Sequence, residues 1–387
     1  MSEINQVVRV GVIGAGNMGS FYARELAGGG VQGAVLAGVC DADPGRLDSW
    51  PEVAGFTDAE GLLNSGEVDA VIIATPHYAH TPIGIAALER GLHVLVDKPI
   101  SVHKADALRL IAAHRDPTQV FAAMFNQRTD GFYWKIKELL DGGAVGEIRR
   151  VNWIITNWFR TEAYYASGGW RATWAGEGGG VLLNQCPHQL DMLCWLVGTP
   201  VRVQAECRFG RYHEIEVEDD VTALLDFANG ATGVFVTSTG EAPGTNRLEI
   251  AGEKGKVVFE DDRLTFYENA EPMSEFSRRT TEGFAAPEVT VRTFDGLDHG
   301  EQHLGVLRNF VAAIREGERL IAPAAEGLAS VELANAMLMS AFEGRAVELP
   351  LDAEVYEARL RERIDGSTLV KKTVQTTKVA DMTGSFR

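Results

Sequence analysis

A lysine and a histidine that lie far apart in the sequence are the residues best suited to acid–base chemistry. Lys98 lies in the run Asp97-Lys98-Pro99, directly after the apolar segment 93–96. A residue at the carboxyl end of a parallel strand points into the crevice where such sheets bind ligands. There the ammonium group can contact both a cofactor and a substrate, so Lys98 is a candidate catalytic residue.

His188 belongs to a second polar cluster, in the segment 177–196, which contains three consecutive glycines. We predict that the glycines form a flexible entrance and that the rest is helical. In a helix, Asn184, His188 and Asp191 share one face. A lone histidine is more commonly a hydrogen-bonded core or cap residue, but its pKa suits proton exchange with a hydroxyl group. A cofactor domain and Lys98 in the same chain favour a catalytic role for His188.

The amino-terminal segment carries a dinucleotide-binding fingerprint. An apolar run at 7–13 is followed by Gly14-Ala-Gly16-Asn17-Met18-Gly19 and then by a helical pattern at 20–26. The first glycine allows a tight turn, the second a close approach to a pyrophosphate, and the third close packing of helix on strand. The N–H groups at the amino terminus of the helix can bind the phosphates.

The next strand pattern, at 34–41, ends in an acidic residue. Asp41 follows the last fingerprint glycine by about 20 residues, the spacing expected for a carboxylate that binds the ribose hydroxyls. Such a carboxylate repels a 2′-phosphate, so the sequence favours NAD over NADP. Arg46 is close enough in sequence to weaken that preference, which keeps NADP as the alternative.

Strand and helix patterns then alternate to residue 126, which predicts a parallel sheet with helices on both faces. Ser101 is predicted to cap a helix that runs to about residue 114. The ends of the strands at 68–75, 93–97 and 120–126 reach the same crevice. The residues predicted there to contact the cofactor are Thr75, Pro76, His77, His80, Asp97, Lys98 and Asn126.

Beyond residue 126 the pattern changes to strands separated mostly by short turns. This predicts a largely antiparallel sheet, one face of which can form an interface. The predicted strands are 148–159, 201–209, 221–228, 232–239, 248–251, 256–260 and 264–267, with helices at 131–140, 303–316 and 326–343. We therefore divide the α/β chain into a dinucleotide-binding domain (1–126), a substrate-binding and oligomerisation domain (127–365) and a polar tail (366–387) that lies over the surface or on a neighbouring subunit.

Composition excludes several classes of protein. The 387 residues carry a formal net charge of −18, which disfavours nucleic acids and anionic membrane surfaces as partners. The polar start does not resemble a signal peptide, and no apolar run is long enough to span a bilayer. The four cysteines form no CxxC pair, so no metal site is predicted, and their small number fits a reducing cytoplasm.

Jointly, these motifs resemble the Gfo/Idh/MocA oxidoreductases over nearly the whole chain. The resemblance is carried by the segments 14–19, 97–99, 178–191 and 323–350. It implies a Rossmann domain, a carboxyl-terminal α/β domain with an open sheet, and homodimers or homotetramers formed through that sheet. The family usually has glutamate at the position of Asp97, and many sugar and cyclitol members have aspartate at the position of Asn184. Since asparagine cannot be a base, general-base duty falls on His188, with Lys98 as the second candidate.

Aromatic and arginine residues between the two domains predict a carbohydrate pocket. Aromatic faces stack on the C–H face of sugar rings, while arginine and asparagine bind hydroxyls; about half of these aromatics are expected to be ordinary core or interface residues. The candidate substrate-binding residues are Arg128, Trp158, Arg160, Tyr164, Trp170, Arg171, Asn184 and His303.

The predicted activity is the NAD(P)-dependent oxidation of a sugar, sugar derivative or cyclitol. His188 takes the hydroxyl proton, Lys98 stabilises the developing alkoxide, and Asn184, Arg128 and Arg160 orient the polyol. One alternative is a redox-neutral enzyme that oxidises its substrate transiently, eliminates a substituent and reduces the product. The other is a non-catalytic, dinucleotide-binding regulator, against which the presence of both Lys98 and His188 argues.

Overall fold

The computed structural model of the chain describes residues 7–371. The first sheet is six-stranded, and all its neighbouring strands are parallel. Its strands are β1 (Val8–Ile13), β2 (Ala34–Cys40), β3 (Ala54–Phe56), β4 (Ala70–Ile73), β5 (His93–Val96) and β6 (Phe121–Ala123). Their spatial order, β3-β2-β1-β4-β5-β6, is that of dinucleotide-binding sheets and places the crevice between β1 and β4. The predicted Rossmann domain is confirmed.

The second sheet has nine strands. They are β7 (Ile148–Ile155), β8 (Arg202–Phe209), β9 (Glu218–Asp226), β10 (Thr232–Ser238), β11 (Asn246–Gly252), β12 (Gly255–Glu260), β13 (Arg263–Asn269), β14 (Val289–Phe294) and β15 (Val347–Glu348). Their order is β14-β13-β12-β11-β7-β10-β9-β8-β15, and only the pair β7–β10 is parallel, so the predicted largely antiparallel sheet is confirmed. The strand predicted at 148–159 is too long. No pattern predicts β14, because nearly all its residues are exposed and its two faces do not differ.

Eleven α-helices lie among the described residues. They are α1 (Asn17–Ala27), α2 (Ala59–Leu63), α3 (His80–Glu89), α4 (Lys104–Ala113), α5 (Gly131–Asp141), α6 (Glu162–Ala166), α7 (Pro187–Val197), α8 (Met273–Arg279), α9 (Gln302–Glu316), α10 (Gly327–Glu343) and α11 (Ala353–Asp365). The helices predicted at 131–140, 303–316 and 326–343 are confirmed as α5, α9 and α10, and their ends shift by only a residue.

The predicted cap of α4 is wrong. The residue before the helix is His103, whose Nδ1 accepts a hydrogen bond from the N–H of Asp106 at 3.3 Å. Ser101 lies two residues further back and is fully buried. Its hydroxyl forms a hydrogen bond with that of Thr81 at 2.7 Å. Ser101 therefore connects the segment before α4 to α3 and does not cap a helix.

A helix that follows the second sheet in the chain packs against the first sheet. Successive residues of β4, such as Val71 and Ile72, point to opposite faces of the first sheet and belong to the two apolar clusters that cover those faces. Helix α9 contributes Val306, Leu307 and Phe310 to one of these clusters, although it follows the second sheet in the chain. The third cluster lies between the second sheet and helices α5, α7 and α10. The division at residue 126 stays a prediction, but α9 packs with the cofactor domain.

Within residues 7–371 no helix is long and apolar enough to cross a membrane, and no three His, Cys, Asp or Glu side chains are grouped as metal ligands. Of the predicted tail, only residues 366–371 are described. Ser367 donates a hydrogen bond to Glu216, and Lys371 Nζ donates one to the carbonyl oxygen of Arg171. Residues 366–371 of the tail thus contact the second domain. Residues 372–387 lie outside the described part of the chain.

Candidate active site

The loop between β1 and α1 requires glycine at the first and last fingerprint positions, Gly14 and Gly19. Gly14 has a φ of +95°, and a Cβ there would lie 2.5 Å from the carbonyl oxygen of Ala74. A Cβ at Gly19 would lie 1.7 Å from the carbonyl oxygen of Gly14. A Cβ at Gly16 would meet only the end of the Arg46 side chain, 3.6 Å away, so the backbone at Gly16 borders open space. That space is where a pyrophosphate would approach.

The surroundings of this loop fit NAD. Helix α1 begins at Asn17, which is exposed, followed by half-buried Met18, and no side chain caps the helix, so its first N–H groups are available to phosphates. Asp41 accepts hydrogen bonds from the N–H groups of Ala15 and Asp43, and its Oδ2 lies 3.4 Å from Nη1 of Arg46. A carboxylate has about four acceptor sites, so Asp41 retains capacity for a ribose hydroxyl.

The loop after β4 is joined to the Lys98 loop by His80. The two ring nitrogens of His80 each lie 2.8 Å from a carbonyl oxygen, that of Pro99 for Nδ1 and that of Thr75 for Nε2. The hydroxyl of Thr75 is buried and has no partner in the described part of the chain, whereas Pro76 is exposed. Any shift of this loop therefore acts on the segment that carries Lys98.

Lys98 is held by the glycine-rich segment of the second domain. Its Nζ donates a hydrogen bond to the carbonyl oxygen of Asn184 at 2.6 Å. Burial lowers the pKa of Lys98, and the carboxylates of Asp97 and Glu177 oppose that effect. Asp97 also accepts a hydrogen bond from the Lys98 N–H at 2.8 Å, while burial raises the pKa of this carboxyl. Asn184 of the second domain thus holds the ammonium group, while Asp97 holds the backbone of the same residue.

His188 lies in the first turn of α7 and is 8% exposed. Its Nδ1 is buried and has no hydrogen-bond partner among residues 7–371. Burial holds the pKa of His188 well below its usual range, and the nearby positive charge of Lys98 acts in the same direction. The imidazole is therefore neutral near pH 7, which is the form that accepts a proton.

The predicted polar stripe Asn184–His188–Asp191 does not exist as one helical face. Helix α7 begins at Pro187, so Asn184 lies in the turn before it. Asp191 instead accepts hydrogen bonds from Nε and Nη2 of Arg128, at 2.8 and 2.7 Å, and Glu326 binds the remaining Nη1. This ion pair is almost fully buried. It corrects the prediction that Arg128 orients the substrate, because its guanidinium is already bound within the protein.

Glu177 also lies at the candidate active site, although no sequence pattern indicated this. Its side chain is 1% exposed and accepts hydrogen bonds from the N–H of Ala172 and from the amide of Asn184. Burial raises the pKa of Glu177, whereas the charge of Arg171 lowers it. The carbonyl oxygen of Glu177 lies 3.3 Å from Nδ1 of buried His77. Glu177 thus orients Asn184, whose carbonyl oxygen holds Lys98, and its carboxyl group acts electrostatically on Lys98.

Tyr164 connects several of the predicted pocket residues to one another. Its hydroxyl accepts hydrogen bonds from Nη1 of Arg171 at 2.9 Å and Nε2 of Gln185 at 3.1 Å, and donates to Oδ1 of Asn184 at 3.3 Å. The guanidinium carbons of Arg160 and Arg171 lie 5.1 and 4.6 Å from the centre of its ring. The structure therefore brings these residues to the same side of the site as Lys98.

The two pocket tryptophans differ in exposure. Trp170 is half-buried, and its ring lies edge-on to that of His77, with 5.6 Å between the ring centres. Trp158 is 7% exposed, and its indole N–H is buried with no partner in the described part of the chain. The guanidinium of Arg160 covers the Trp158 ring at 5.4 Å. Trp170 borders the cofactor loop, whereas Trp158 is mainly a core residue.

Two further predicted residues pack against the cofactor domain. His303 is buried, with its ring 6.1 Å from that of Phe21 in α1, and burial lowers its pKa to about 3. Asn126 is also buried and donates a hydrogen bond to Gln302 at 2.6 Å, while its Oδ1 is buried with no partner among residues 7–371. Direct substrate contact is therefore less favoured for His303 than for Tyr164 and Arg171.

The glycine-rich entrance is tightly packed, which corrects the prediction that it is flexible. A Cβ at Gly178 would lie 2.0 Å from the Val102 side chain, and one at Gly180 would lie 2.0 Å from the carbonyl oxygen of Glu218. Oε1 of Glu218 accepts hydrogen bonds from the N–H groups of Gly180 and Leu182, at 2.8 and 3.0 Å. Glu218 thus fixes the turn that leads to Asn184.

Glu218→Gln should change the pH dependence of stability. Burial raises the pKa of Glu218 from its usual 4.5 to about 7, and Oε2 is buried without a partner in the described structure. The folded state therefore binds more protons than the unfolded state between these values, so ionisation destabilises the wild type as the pH rises. The free energy of unfolding of the variant, relative to wild type, should increase by about 2.5 kcal/mol between about pH 5 and pH 8. Urea unfolding at both pH values measures this; an equal difference at both would contradict it.

Two family models match the chain. The model described as "Oxidoreductase family, NAD-binding Rossmann fold" matches residues 8–125, and the "GFO/IDH/MocA C-terminal domain" matches residues 133–258. Together they cover most of both domains.

Individual relatives agree with the family models. Inositol 2-dehydrogenase 1 of Saccharopolyspora erythraea is 28% identical over 358 residues, which cover 89% of this chain and 97% of the relative. Levoglucosan dehydrogenase of Pseudarthrobacter phenanthrenivorans is 26% identical, with coverages of 89% and 99%. Among solved structures, the WlbA dehydrogenase from Bordetella pertussis, in complex with NADH and UDP-GlcNAcA, has a TM-score of 0.75 at 26% identity and coverages of 90% and 100%.

Proposed function

This chain belongs to the Gfo/Idh/MocA family of NAD-dependent oxidoreductases, and from that premise we propose that it oxidises a secondary alcohol of a sugar, sugar derivative or cyclitol. The observation that carries the proposal is the joint placement of a neutral imidazole and a buried ammonium group. Lys98 is held at Asn184, and its charge acts on His188. A base and a cation placed together suit the removal of a hydroxyl proton. The names of the relatives, which include inositol and levoglucosan dehydrogenases, support this substrate class.

In the proposed mechanism the two side chains act on one substrate oxygen. His188 accepts the hydroxyl proton, and Lys98 donates a hydrogen bond to the same oxygen and stabilises its developing negative charge. NAD, when bound, supplies the nicotinamide that accepts the hydride from the carbinol carbon. Cofactor contacts are proposed for the fingerprint residues, Asp41 and the loop at 75–80, with NAD as the cofactor and NADP as a weaker alternative.

The remaining pocket residues position the polyol. Tyr164 and Asn184 already share a hydrogen bond, so a substrate hydroxyl entering here meets a preformed polar network. Trp170 offers a half-buried aromatic face beside the cofactor loop. Because Glu177 and Glu218 fix the turn at Asn184 from within the protein, this network is set before substrate binds.

A substrate panel tests the proposal. Monosaccharides, anhydrosugars, inositols and glycosides are incubated with NAD and, separately, with NADP, and the absorbance of reduced nicotinamide is followed. Steady accumulation of NADH with a polyol is the expected result. Conversion of substrate without net NADH would instead favour the redox-neutral enzyme, and NAD binding without any conversion would favour the regulator.

We also propose that the chain forms homo-oligomers through the open face of the second sheet. Leu224 and Ile154 on that face are 55% and 38% exposed. Leu224 lies opposite Val234, and Val236 lies between Ile154 and Thr222 in the strand register, so these side chains form one apolar patch. An exposed apolar patch on a sheet is a common mark of a subunit interface.

Leu224→Glu is expected to convert the oligomer to monomer, because it places a charge at the centre of that patch in both subunits. Size-exclusion chromatography with light scattering measures the mass. Val355→Glu is the matched control, since Val355 is 50% exposed on α11, away from the sheet. A wild-type monomer, or a Leu224→Glu variant that keeps the wild-type mass, would contradict this interface.

A further inference from the structure

Two arginines at the candidate pocket form no ion pair with an acidic residue of the described part of the chain. Within residues 7–371, no carboxylate oxygen lies within 4.0 Å of a nitrogen of Arg160 or Arg171. Arg160 uses Nη1 for the backbone carbonyls of Phe159 and Trp158, and Arg171 uses Nη1 for the hydroxyl of Tyr164. A guanidinium has five N–H donors, so most donors of both side chains remain available.

Both arginines lie against the same aromatic ring. They flank the ring of Tyr164, and Arg171 also lies 4.6 Å from the ring centre of Trp170. Tyr164 is hydrogen-bonded to Asn184, whose carbonyl oxygen holds the Lys98 ammonium. The chain of contacts from Arg171 to Lys98 thus has three hydrogen bonds, and the charges of both Arg160 and Arg171 act on Lys98.

The pocket is consequently cationic in an acidic protein. Lys98, Arg160 and Arg171 contribute three positive charges, while the chain as a whole carries −18. The nearby carboxylates of Asp97 and Glu177, which are hydrogen-bonded to backbone or amide groups, contribute two negative charges, so these five groups together carry a net charge of +1. The charge of Arg171 acts on the nearby carboxyl of Glu177, but no carboxylate within residues 7–371 forms a direct ion pair with either guanidinium, which leaves their donors open to an anionic group of a substrate.

We propose that the substrate is a polyol that carries a carboxylate or phosphate group, and that Arg160 and Arg171 bind this group. The proposal rests on the proposed function, in which Lys98 and His188 act on the hydroxyl. Guanidinium groups form paired, charge-assisted hydrogen bonds with both kinds of anion. Arg160 and Arg171 then select among polyols by charge, and the acidic surface of the protein makes such local cations necessary for binding an anion.

Calorimetric titration of the NADH complex tests this without requiring turnover. The probes are matched sets that share a ring: glucose with glucuronate and glucose 6-phosphate, galactose with galacturonate and galactose 6-phosphate, and myo-inositol with its monophosphate. In at least one set an anion should bind about tenfold or more tightly than its neutral counterpart. Its affinity should fall as ionic strength rises, since the pocket is partly exposed to solvent. The favoured member of the set distinguishes carboxylate from phosphate.

Variants assign the preference to the two arginines. Arg160→Gln and Arg171→Gln should each weaken binding of the favoured anion about tenfold or more, and Arg171→Lys should retain part of the preference. Arg263→Gln is the control, because it removes one exposed charge on β13 without touching the pocket. Equal affinities of anions and neutral polyols, no binding of any anion, or equal losses for both kinds of probe would overturn the proposal.

The two proposals fail separately. If anions bind in an arginine-dependent way but no polyol reduces NAD, the proposed dehydrogenase activity is wrong and the anion site remains. If neutral polyols are oxidised as efficiently as their anionic counterparts, the activity remains and the anion site is wrong.

Discussion

Lys98→Ala is expected to lower kcat by about a hundredfold to a thousandfold, the range found when one donor to a developing oxyanion is removed. The ammonium group of Lys98 is fixed 2.6 Å from the carbonyl oxygen of Asn184, and alanine has no group that reaches this position. Because the fingerprint loop and Asp41 are untouched, NADH should still bind. Steady-state kinetics with the best substrate of the panel, together with NADH titration, measure both effects.

Two controls separate chemistry from folding. A small primary ammonium ion added to Lys98→Ala should restore part of kcat, because it can occupy the space that the side chain leaves. Lys137→Met should keep wild-type kinetics, since the ammonium of Lys137, on α5, pairs with Asp141 and lies over the ring of Trp195 rather than at Asn184. Near-full activity of Lys98→Ala would remove Lys98 from the mechanism.

His188→Ala is expected to lower kcat by about a hundredfold to ten-thousandfold, the usual contribution of a positioned general base. The base must be unprotonated to accept the hydroxyl proton. Burial and the charge of Lys98 hold the pKa of His188 well below its ordinary value, so it stays unprotonated in mildly acidic solution. In the wild type, kcat/KM should therefore stay level as the pH falls through 6.5, the value at which an ordinary histidine becomes protonated.

The pH profile also distinguishes His188 from Lys98 as the base. Imidazole should restore activity to His188→Ala, and His114→Gln should behave as wild type because the His114 ring contacts the carbonyl oxygen of Gln119 and the ring of Phe121, not the site. If His188→Ala keeps most of its activity, and the rate of the wild type falls with a pKa that disappears in Lys98→Ala, then Lys98 is the base. A wild-type rate that falls near the usual histidine pKa would contradict the neutral, buried state of His188.

Local patterns predicted the cofactor domain well because its elements are encoded by neighbouring residues. The fingerprint glycines, the apolar strands and Asp41 each follow from short-range spacing, and the parallel sheet follows from their alternation. The position of α9 could not be predicted in the same way. An amphipathic pattern shows that a helix buries one face but not which sheet it buries that face against.

The start of α7 shows where the sequence was misread. Periodicity alone placed Asn184 and His188 on one face, but Pro187 between them cannot donate the hydrogen bond that a continuing helix needs. Proline is favoured in the first turn of a helix, which is where the structure places it. The correct boundary was therefore available from the sequence, and it separates the turn that holds Lys98 from the helix that carries His188.

The supporting carboxylates could not be found from the sequence. Glu177 precedes three glycines and Glu218 begins a strand, and neither position differs from those of ordinary surface acids. Their roles arise from contacts across the fold, such as the hydrogen bonds from Gly180 and Leu182 to Glu218. The pair formed by Arg128 and Asp191 joins residues 63 positions apart and is equally invisible to spacing arguments.

Transfer of an isotopic label tests the central claim most directly. A polyol deuterated at the carbinol carbon is oxidised with NAD, and the reduced cofactor is examined by proton NMR. We expect deuterium to appear at C4 of the nicotinamide in NADH, in step with oxidised product, and Lys98→Ala and His188→Ala to slow both together. Product formed without net NADH, or NADH formed without the label, would contradict it.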